Sequence, residues 1–574
     1  MNRKNLTAAV LAGLAGVAGI AGTAQAVNMN PDGLGQVLIY PYYTANDGNQ
    51  TILSVVNTTD QAKAVKVRFL EGFNSREVLD FNLYMSEYDV WVASITMSDG
   101  PTIGDGVAQL LIPDSTCTVP YLYGMGEVQA NGKRLGKQDF LTLAYTGAFA
   151  DGGPTSEART REGHFEMIEM GTLTGVAADN VRHKEVSEGV REPEDCMALT
   201  DWWTDYVNDD SKDGIWFKEA DAMPDCDPYP ANVEDLDFSG CQATSYTLRS
   251  SGGMFGGAAV VDAANGTMYS YDAKALQGFD STVDGIHYIP GTIFPSLNSG
   301  DLSESWVFFG VPQNQAVNLT YMETVDAVSS VFMHETIMNT YVTDDAINAA
   351  TEWVVTFPTK NFYADPLRMI QAGFYDTVAE VEAAGARAPF TALYWETNAS
   401  SGNRVCETVF LDVWDREEAS PQDPDTPVGV RPPVVSPSLP VCEDEFDPRC
   451  QDPVAPFQIC NEVNILRFGA RIGDDGMIET PARAIFDSPM IGDESLVTSV
   501  DSPFVDGWAK LDMGGPNRVD ENGLLGLPVT GFAAEEYENN FLDGGVKANY
   551  GGLFQHKANV RQGAAAPADS TMTQ

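Results

Sequence analysis

The fold of this chain is decided by residues 65–97, VKVRFLEGFNSREVLDFNLYMSEYDVWVASITM, in which apolar and polar side chains alternate. At its start, two positive residues, Lys66 and Arg68, separate three apolar ones, which predicts a strand with one buried and one solvated face. The same period of two returns at 79–85 and again at 91–97. Short strands that follow each other so closely predict an antiparallel sheet.

Further strands are expected on both sides of this stretch, from the same alternation and from the turn residues at their ends. They are 37–43, 52–57, 107–112, 141–145, 165–170, 258–261, 268–271, 353–357, 391–395, 405–413, 464–468, 508–511 and 529–533. Asn265-Gly266, between two of these runs, is a strong hairpin signal. The sequence therefore predicts a mainly β protein with two antiparallel β-sandwich units of Ig-like type.

Helical spacing of apolar residues is found in the second half of the chain. It predicts one helix near 323–342, whose apolar face would consist of Val328, Val331, Met338, Tyr341 and Val342. A second short helix is expected to begin at Asp344 or Asp345, since either residue is a suitable N-cap.

Composition divides the chain into six segments. They are a signal peptide at 1–26, an N-terminal β-sandwich domain at 27–183, an acidic insertion at 184–245, a second β domain at 246–412, a Pro/Asp-rich loop or linker at 413–460, and a C-terminal β region at 461–574. The linker holds ten prolines between Pro421 and Pro456, too many for a sheet. The last region is expected to complete the second domain and to end in a disordered tail.

The first 26 residues have the layout of a secretory signal peptide. Arg3 and Lys4 precede an apolar stretch of small residues, and Ala-Gln-Ala at 24–26 forms a cleavage site before Val27. Outside this region, no apolar run reaches the roughly 18 residues of a membrane helix. We therefore expect an exported protein without a transmembrane segment, located outside the cell, at its surface or in the periplasm.

Eight cysteines, an even number, favour disulfides in an exported chain. They are Cys117, Cys196, Cys226, Cys241, Cys406, Cys442, Cys450 and Cys460. No two of them are separated by only two residues, which argues against the usual zinc and redox motifs. Short separations favour Cys226–Cys241 and Cys442–Cys450 as local pairs, and Cys117–Cys196 and Cys406–Cys460 would then be the longer ones.

The charge of the chain excludes one class of partner. Acidic residues outnumber Lys and Arg by 82 to 33, which gives a formal net charge of −49. So negative a chain repels nucleic acid and anionic lipid.

The sequence motifs of several common enzyme classes are missing. There is no nucleophile elbow, P-loop or dinucleotide fingerprint. His334-Glu335 begins like the motif of a zinc protease, but Met338 stands where the second histidine belongs.

Aromatic residues of the acidic insertion form one candidate ligand site. They are Trp202, Trp203, Tyr206 and Trp216. Flat rings beside carboxylates are suited to stacking on sugars or packing on a partner. The alternative is that these rings form the small core of a disulfide-bonded subdomain.

The same insertion contains a partial calcium loop. Asp209, Ser211, Asp213 and Glu219 offer the hard oxygen ligands that calcium prefers, although Ala220 stands where the bidentate acid of such a loop belongs. Calcium is the one cofactor that the sequence suggests.

These features favour an exported, non-catalytic binding or structural protein that acts at the cell surface or in extracellular matrix, with calcium stabilising its acidic loops. A glycan or a surface protein is the expected partner. Two alternatives stay open. One is a secreted carbohydrate-active enzyme that uses a pair of carboxylates, and the other is a subunit of a polymeric surface assembly that associates with its own copies.

Overall fold

A computed structural model describes most of the chain. The described residues are 26–100, 106–204, 216, 241–310, 313–394, 406–417, 457–472, 478–491, 494–502, 504–515, 517–542 and 545–563. Strands account for 47% of the described residues and helices for 12%, in several antiparallel sheets. The prediction of a mainly β protein is therefore confirmed.

Sheet 1 has eight strands, and all of its pairs are antiparallel. Its strands in spatial order are Asn28–Met29, Lys274–Gln277, Val37–Thr44, Glu162–Leu173, Lys63–Glu71, Glu77–Met85 and Cys117–Val119, with Thr247–Leu248 beside the end of Glu162–Leu173. Every residue of the central strands Val37–Thr44, Glu162–Leu173 and Lys63–Glu71 is buried. Both faces of sheet 1 are therefore covered.

Sheet 2 has seven strands. In spatial order they are Thr267–Asp272, Met254–Asp262, Asn49–Asn57, Val90–Met97, Ala108–Ile112, Arg134–Asp139 and Glu127–Val128. Burial alternates along Asn49–Asn57 and Met254–Asp262, so this sheet covers a core with one face only. The predicted hairpin at Asn265-Gly266 is present, and Gly266 has a φ of +74°, a value that glycine adopts without strain.

Aromatic and aliphatic side chains fill the space between sheets 1 and 2. Tyr40 and Phe165 of sheet 1 stack with ring centroids 4.1 Å apart. Phe81 of sheet 1 meets Trp91 of sheet 2 edge-on at 5.7 Å. The alternation that predicted the strands therefore also identified side chains of this first core.

The polar face of the strand Lys63–Glu71 is buried too, contrary to the solvated face expected from the sequence. Lys66 donates a hydrogen bond to the carbonyl oxygen of Thr292 at 2.7 Å. Arg68 pairs with Glu166 at 2.8 Å, and both arginine and glutamate are almost fully buried. Alternation in the sequence shows which residues share a face of the strand. Whether that face is buried depends on distant segments of the chain that pack against it.

Sheets 3 and 4 belong to the second half of the chain. Sheet 3 contains Ile478–Thr480, Val463–Ile472, Ala349–Thr356, Thr530–Leu542 and Val546–Gln555 in spatial order, with Val497–Asp501 running parallel to Val463–Ile472. Sheet 4 contains Phe457–Ile459, Glu407–Trp414, Asp506–Asp512, Thr336–Val342 and Lys557–Asn559. A second core lies beneath them, and it includes Trp353 of sheet 3 and Leu411 of sheet 4.

Residues of the two halves of the chain, 26–310 and 313–563, mix in both cores. Tyr271 of sheet 2 stacks on Phe532 of sheet 3 with ring centroids 5.2 Å apart. Thr356 of sheet 3 donates a hydrogen bond to the carbonyl oxygen of Pro41 at 2.6 Å. The halves are therefore packed on each other through their apolar interiors.

The remaining elements are short. The two-stranded pairs are His183–Ser187 with Val190–Pro193, Glu304–Phe309 with Gln315–Thr320, Met333–His334 with Leu527–Pro528, and Met490–Ile491 with Glu494–Ser495. The α-helices among the described residues are Gly175–Val181, Cys196–Thr204, Thr324–Ser330, Asn361–Ala364, Pro366–Gln371 and Val378–Ala384. Single turns of 3-10 helix lie at Leu143–Tyr145, Gly147–Phe149, Glu157–Arg161 and Asp345–Ile347.

The predicted helix near 323–342 is wrong over most of its length. Only Thr324–Ser330 is helical, and Thr336–Val342 is a strand that pairs with Asp506–Asp512. Four β-branched residues in that strand favour extended backbone over helix. The second helix is reduced to the turn Asp345–Ile347, which Asp344 caps by accepting a hydrogen bond from the Ala346 amide.

Three further expectations differ from the structure. Residues 141–145, expected as a strand, include the 3-10 turn Leu143–Tyr145, and 391–394 form no strand. The strands Met254–Asp262 and Lys274–Gln277, assigned from the sequence to a second domain starting at 246, pair instead within sheets 2 and 1. Their partners Asn49–Asn57 and Val37–Thr44 lie about 200 residues earlier, a separation that local patterns do not reveal.

Two disulfides lie within the described part of the chain, Cys117–Cys196 and Cys406–Cys460. They are the two longer pairs favoured by the sequence spacing. Cys241 is disulfide-bonded as well. Cys226, Cys442 and Cys450 lie outside the described residues.

Residues 1–25 of the predicted signal peptide and residues 418–456 of the predicted linker lie outside the described residues. The same is true of 205–215 and 217–240, the larger part of the predicted acidic insertion. Within the described ranges, no helix combines the length and the apolar character needed to cross a bilayer.

Candidate functional site

An exposed aromatic pair lies on the outer face of sheet 4, where Trp414 and Trp508 stand directly opposite each other on neighbouring strands. Their rings stack with centroids 4.1 Å apart and an interplanar angle of 11°. Trp508 is 38% exposed, and Trp414 is partly exposed. Such a cross-strand pair supports the sheet and still presents aromatic surface to the solvent.

Alternation along the two paired strands brings both tryptophans to the same surface. The apolar residues that point the other way are buried in the second core; they are Val409, Leu411, Val413, Ala509 and Leu511. The outward residues form what we call the tryptophan platform, which consists of Phe410, Asp412, Trp414, Trp508 and Lys510. Phe410 is 48% exposed and extends the aromatic surface along its strand.

Charged groups surround the stacked rings. Lys510 pairs with Asp412 at 2.9 Å, and its ammonium lies 5.7 Å from the ring centre of Trp414. At the end of the platform, Arg416 pairs with Asp506 at 2.9 Å. The site therefore combines flat apolar faces with exposed hydrogen-bond donors and acceptors, the combination that polar ring-shaped ligands need.

The aromatic residues predicted as a ligand site lie mainly inside the protein. Trp203 and Trp216 are buried, and Trp202 is partly exposed. Trp216 stacks on Tyr84 with ring centroids 5.7 Å apart, and its indole N–H donates to the Leu199 carbonyl at 3.1 Å. These contacts correspond to the small core that the sequence left open as the alternative reading.

Tyr206 lies outside the described residues, so the structure says nothing of its contacts. Among the predicted residues that the structure describes, Trp202 is the one whose side chain is partly exposed. It packs against Trp216 and Tyr246.

A buried histidine joins this small core to sheet 1. The two ring nitrogens of His287 form hydrogen bonds with hydroxyl groups, Nε2 with that of Tyr84 at 3.0 Å and Nδ1 with that of Thr247 at 2.8 Å. Burial lowers the pKa of His287 to about 3. The imidazole is therefore neutral at physiological pH, and aromatic edges and faces surround it as in a packed interior.

The predicted calcium ligands Asp209, Ser211, Asp213 and Glu219 all lie outside the described residues. Within the described ranges, no group of three or more His, Cys, Asp or Glu side chains is arranged to hold a metal ion. Calcium binding by the acidic insertion stays a prediction.

Sequence reasoning did not single out the tryptophan platform, although it predicted both of its strands. Trp414 and Trp508 are 94 residues apart, and neither sits in an unusual motif. A usable signal was present in the alternation, since Phe410 and Asp412 of the predicted strand 405–413, and Trp414 directly after it, alternate with apolar residues. The pairing that stacks the two rings is a long-range property of sheet 4.

Comparison with known proteins found no match for this chain among protein-family models, curated proteins or solved structures. We therefore infer function from the side chains themselves.

Proposed function

We propose that this chain is an exported, non-catalytic binding protein that recognises a neutral glycan through the tryptophan platform. The observation that carries the proposal is the stacked, partly exposed pair Trp414 and Trp508 on a sheet face lined with charged hydrogen-bonding groups. Layers of antiparallel sheets with Ig-like order are the scaffold that we infer for it.

Export is supported by two independent features. The first is the charged, apolar and small-residue succession at 1–26, which has the order of a signal peptide. The second is the presence of the disulfides Cys117–Cys196 and Cys406–Cys460, bonds that persist in oxidising compartments. Both support a place of action at the cell surface or in extracellular matrix.

The charges favour a neutral glycan over an acidic one. A protein with a net charge of −49 repels polyanions over several ångströms at physiological ionic strength. On the platform itself, Lys510 is already paired with Asp412, and at its end Arg416 is paired with Asp506. Paired charges can still accept and donate hydrogen bonds to hydroxyl groups at their free positions, while the indole faces stack on the apolar faces of sugar rings.

Binding to a panel of neutral oligosaccharides, measured by calorimetry and by the shift of tryptophan fluorescence, tests the proposal. Trp508→Ala is expected to weaken binding by about 10-fold or more, because a tryptophan at the centre of a binding surface dominates its free energy. The matched control is Phe308→Ala, which removes a 61% exposed aromatic ring from the strand Glu304–Phe309. If no neutral glycan binds, or if both variants bind like the parent protein, the proposal fails.

The two alternatives predict different outcomes in the same samples. A carbohydrate-active enzyme would release new reducing ends from the glycan panel. A subunit of a polymeric assembly would sediment faster as its concentration rises. Either result would replace the non-catalytic binding protein by the corresponding alternative.

The proposal includes calcium as a stabilising cation, with Asp209, Ser211, Asp213 and Glu219 as its ligands. A cation that binds only the folded protein raises the melting temperature by mass action. We expect calcium to raise it and a chelator to reverse the rise. An unchanged melting temperature would remove calcium from the proposal and leave glycan binding untouched.

A further inference from the structure

A small cavity lined by three arginines lies where the two halves of the chain meet. Arg68 comes from the strand Lys63–Glu71, Arg76 from the loop that follows it, and Arg368 from the helix Pro366–Gln371. The space open to the centre of a water molecule is about 20 Å³. A cavity of this size holds roughly one or two waters or one small ion.

Two of the three guanidinium groups are neutralised by carboxylates. Arg68 pairs with Glu77 at 2.6 Å and with Glu166 at 2.8 Å. Arg76 pairs with Asp365 at 2.9 Å. The two carboxylates that line the cavity, Glu77 and Asp365, are thus each paired with one of these two arginines.

Arg368 is the exception. Its side chain is only 6% exposed, yet within the described part of the chain no carboxylate oxygen lies within 4 Å of its guanidinium. Its Nε is buried without a hydrogen-bond partner. One face of the guanidinium lies over the ring of Phe362, 4.5 Å from the ring centre, and Arg368 also lines the cavity.

The electrostatic cost of this arrangement is expressed in a lowered pKa of Arg368. Burial, with a further contribution from the positive charge of Arg68, lowers the pKa of Arg368 to about 9, and the negative charges of Glu166, Glu77 and Asp365 only partly oppose this shift. The protonated guanidinium is thus poorly compensated by the protein alone. A negative charge in the cavity would supply both the missing hydrogen-bond acceptor and the missing compensation.

We propose that the arginine cavity binds one small monovalent anion, with chloride as the ion that fits its size and charge. A tetrahedral oxyanion such as phosphate is disfavoured because it needs more space than this cavity offers. The ion would bridge Arg68 and Arg76 of the first half to Arg368 of the second, and it would stabilise the junction between them. This site is independent of the tryptophan platform.

Thermal unfolding at constant ionic strength, with chloride exchanged for methanesulfonate, tests the site. We expect the melting temperature to rise by about 1–3 °C for each tenfold increase in chloride above its dissociation constant. Arg368→Gln should abolish this dependence. The matched control is Arg561→Gln, since Arg561 is an exposed arginine that pairs with Glu335 at 3.0 Å, and it should retain the dependence.

Bromide, which replaces chloride and scatters anomalously, gives a second test that does not depend on a stable variant. A crystal of the parent protein soaked in bromide should show an anomalous peak in the cavity, at hydrogen-bond distance from Arg368 Nε. A cavity that holds only water in bromide, or a melting temperature that responds equally to chloride and methanesulfonate, would overturn the proposal. Loss of the chloride effect with glycan binding intact in Arg368→Gln would show that the two sites are separate.

Discussion

At the scale of single residues, Arg159 carries a buried positive charge that pairs with carboxylates of two separate segments, one at Glu71 and one at Asp151. Its guanidinium binds both carboxylate oxygens of Glu71, at 2.8 and 2.9 Å, and it also reaches Asp151 at 2.5 Å. The side chain is 1% exposed, and the ring of Tyr145 lies 4.5 Å beneath it. The geometry is the bidentate one that makes arginine–carboxylate pairs strong.

Arg159→Met is expected to lower the free energy of unfolding by about 3–5 kcal/mol, because it leaves buried carboxylates without their counter-ion. Chemical denaturation with urea measures the change. Arg561→Met, which removes an exposed arginine, should cost less than about 1 kcal/mol. Similar losses in the two variants would contradict the role given to burial.

Glu162 is a buried carboxyl group whose titration should be visible in stability. It accepts hydrogen bonds from the hydroxyls of Tyr42 and Ser488 and from the amide of Asn46. Burial is the largest influence on this group, and it raises the pKa of Glu162 from 4.5 to about 7. Between these two pH values the unfolded chain loses a proton that the folded protein keeps.

The wild-type protein should therefore lose stability at this position as the pH rises from about 4.5 to about 7. Glu162→Gln cannot ionise, so its stability relative to wild type should grow across that window, by up to about 3 kcal/mol. Denaturation curves at several pH values measure this difference, in which the other titrating groups cancel. A difference that stays constant from pH 4.5 to 7 would contradict the raised pKa.

The burial and pairing of individual residues could be predicted from the sequence only where they follow from the pattern of neighbouring residues. The buried members of strands, such as Val65 and Phe69, were identified by alternation, and the cysteine spacing favoured the two long disulfides. The unpaired state of Arg368 could not be predicted, because it depends on which carboxylates other arginines occupy. The stacking of Trp414 on Trp508 depends in the same way on long-range register.

At the scale of elements, the helix Val378–Ala384 shows how a short segment is held. Thr377 caps it by accepting a hydrogen bond from the Glu380 amide at 3.3 Å, and Glu380 in turn accepts one from the Asp376 amide at 3.0 Å. Val381 is fully buried in a small apolar cluster beside Met369. The helix is only seven residues long, so cap and cluster together must offset its nucleation cost.

Thr377→Ala should weaken this helix by about 1 kcal/mol, since it removes the side-chain acceptor of the cap. Hydrogen exchange of the amides in 378–384 should become roughly fivefold faster, as follows from a change of that size. Thr377→Ser keeps the hydroxyl and should exchange like the wild type. Equal acceleration in both variants would mean that the cap contributes nothing.

Strands were predicted well and helices poorly, for a physical reason that Thr336–Val342 illustrates. Its apolar residues fit helical spacing by chance, whereas its neighbours Asp506–Asp512 and Lys557–Asn559 decide that it pairs as a strand. Alternation of apolar and polar residues over five or more positions, as in Lys63–Glu71, fits a strand and does not also fit a helix. Local pattern is decisive where tertiary pairing agrees with it, and it is overridden where pairing does not.

At the scale of the whole molecule, the two cores make the halves of the chain interdependent. The first core contains Phe532 and Val354 from the second half, and the second core contains Val37 and Leu276 from the first. The division into separate domains, inferred from composition, missed this mixing because sheet order is set by contacts between residues hundreds of positions apart.

The described protein should therefore unfold in a single transition. Calorimetry of the intact chain is expected to show one peak, whose calorimetric and van't Hoff enthalpies agree within error. As a comparison, the fragment 26–310 alone should lack a cooperative transition, because its apolar surface would be exposed. Two resolved peaks in the intact protein, or a cooperatively folded fragment, would contradict the shared cores.

The bond Cys406–Cys460 has a consequence for the integrity of the polypeptide. Any single cut of the backbone by a protease between these two positions yields pieces that stay covalently tied. Such a nicked molecule would migrate as one band on a non-reducing gel and as two after treatment with a thiol. A cut between Trp414 and Cys460 would thus leave Trp414 and Trp508 attached to one another.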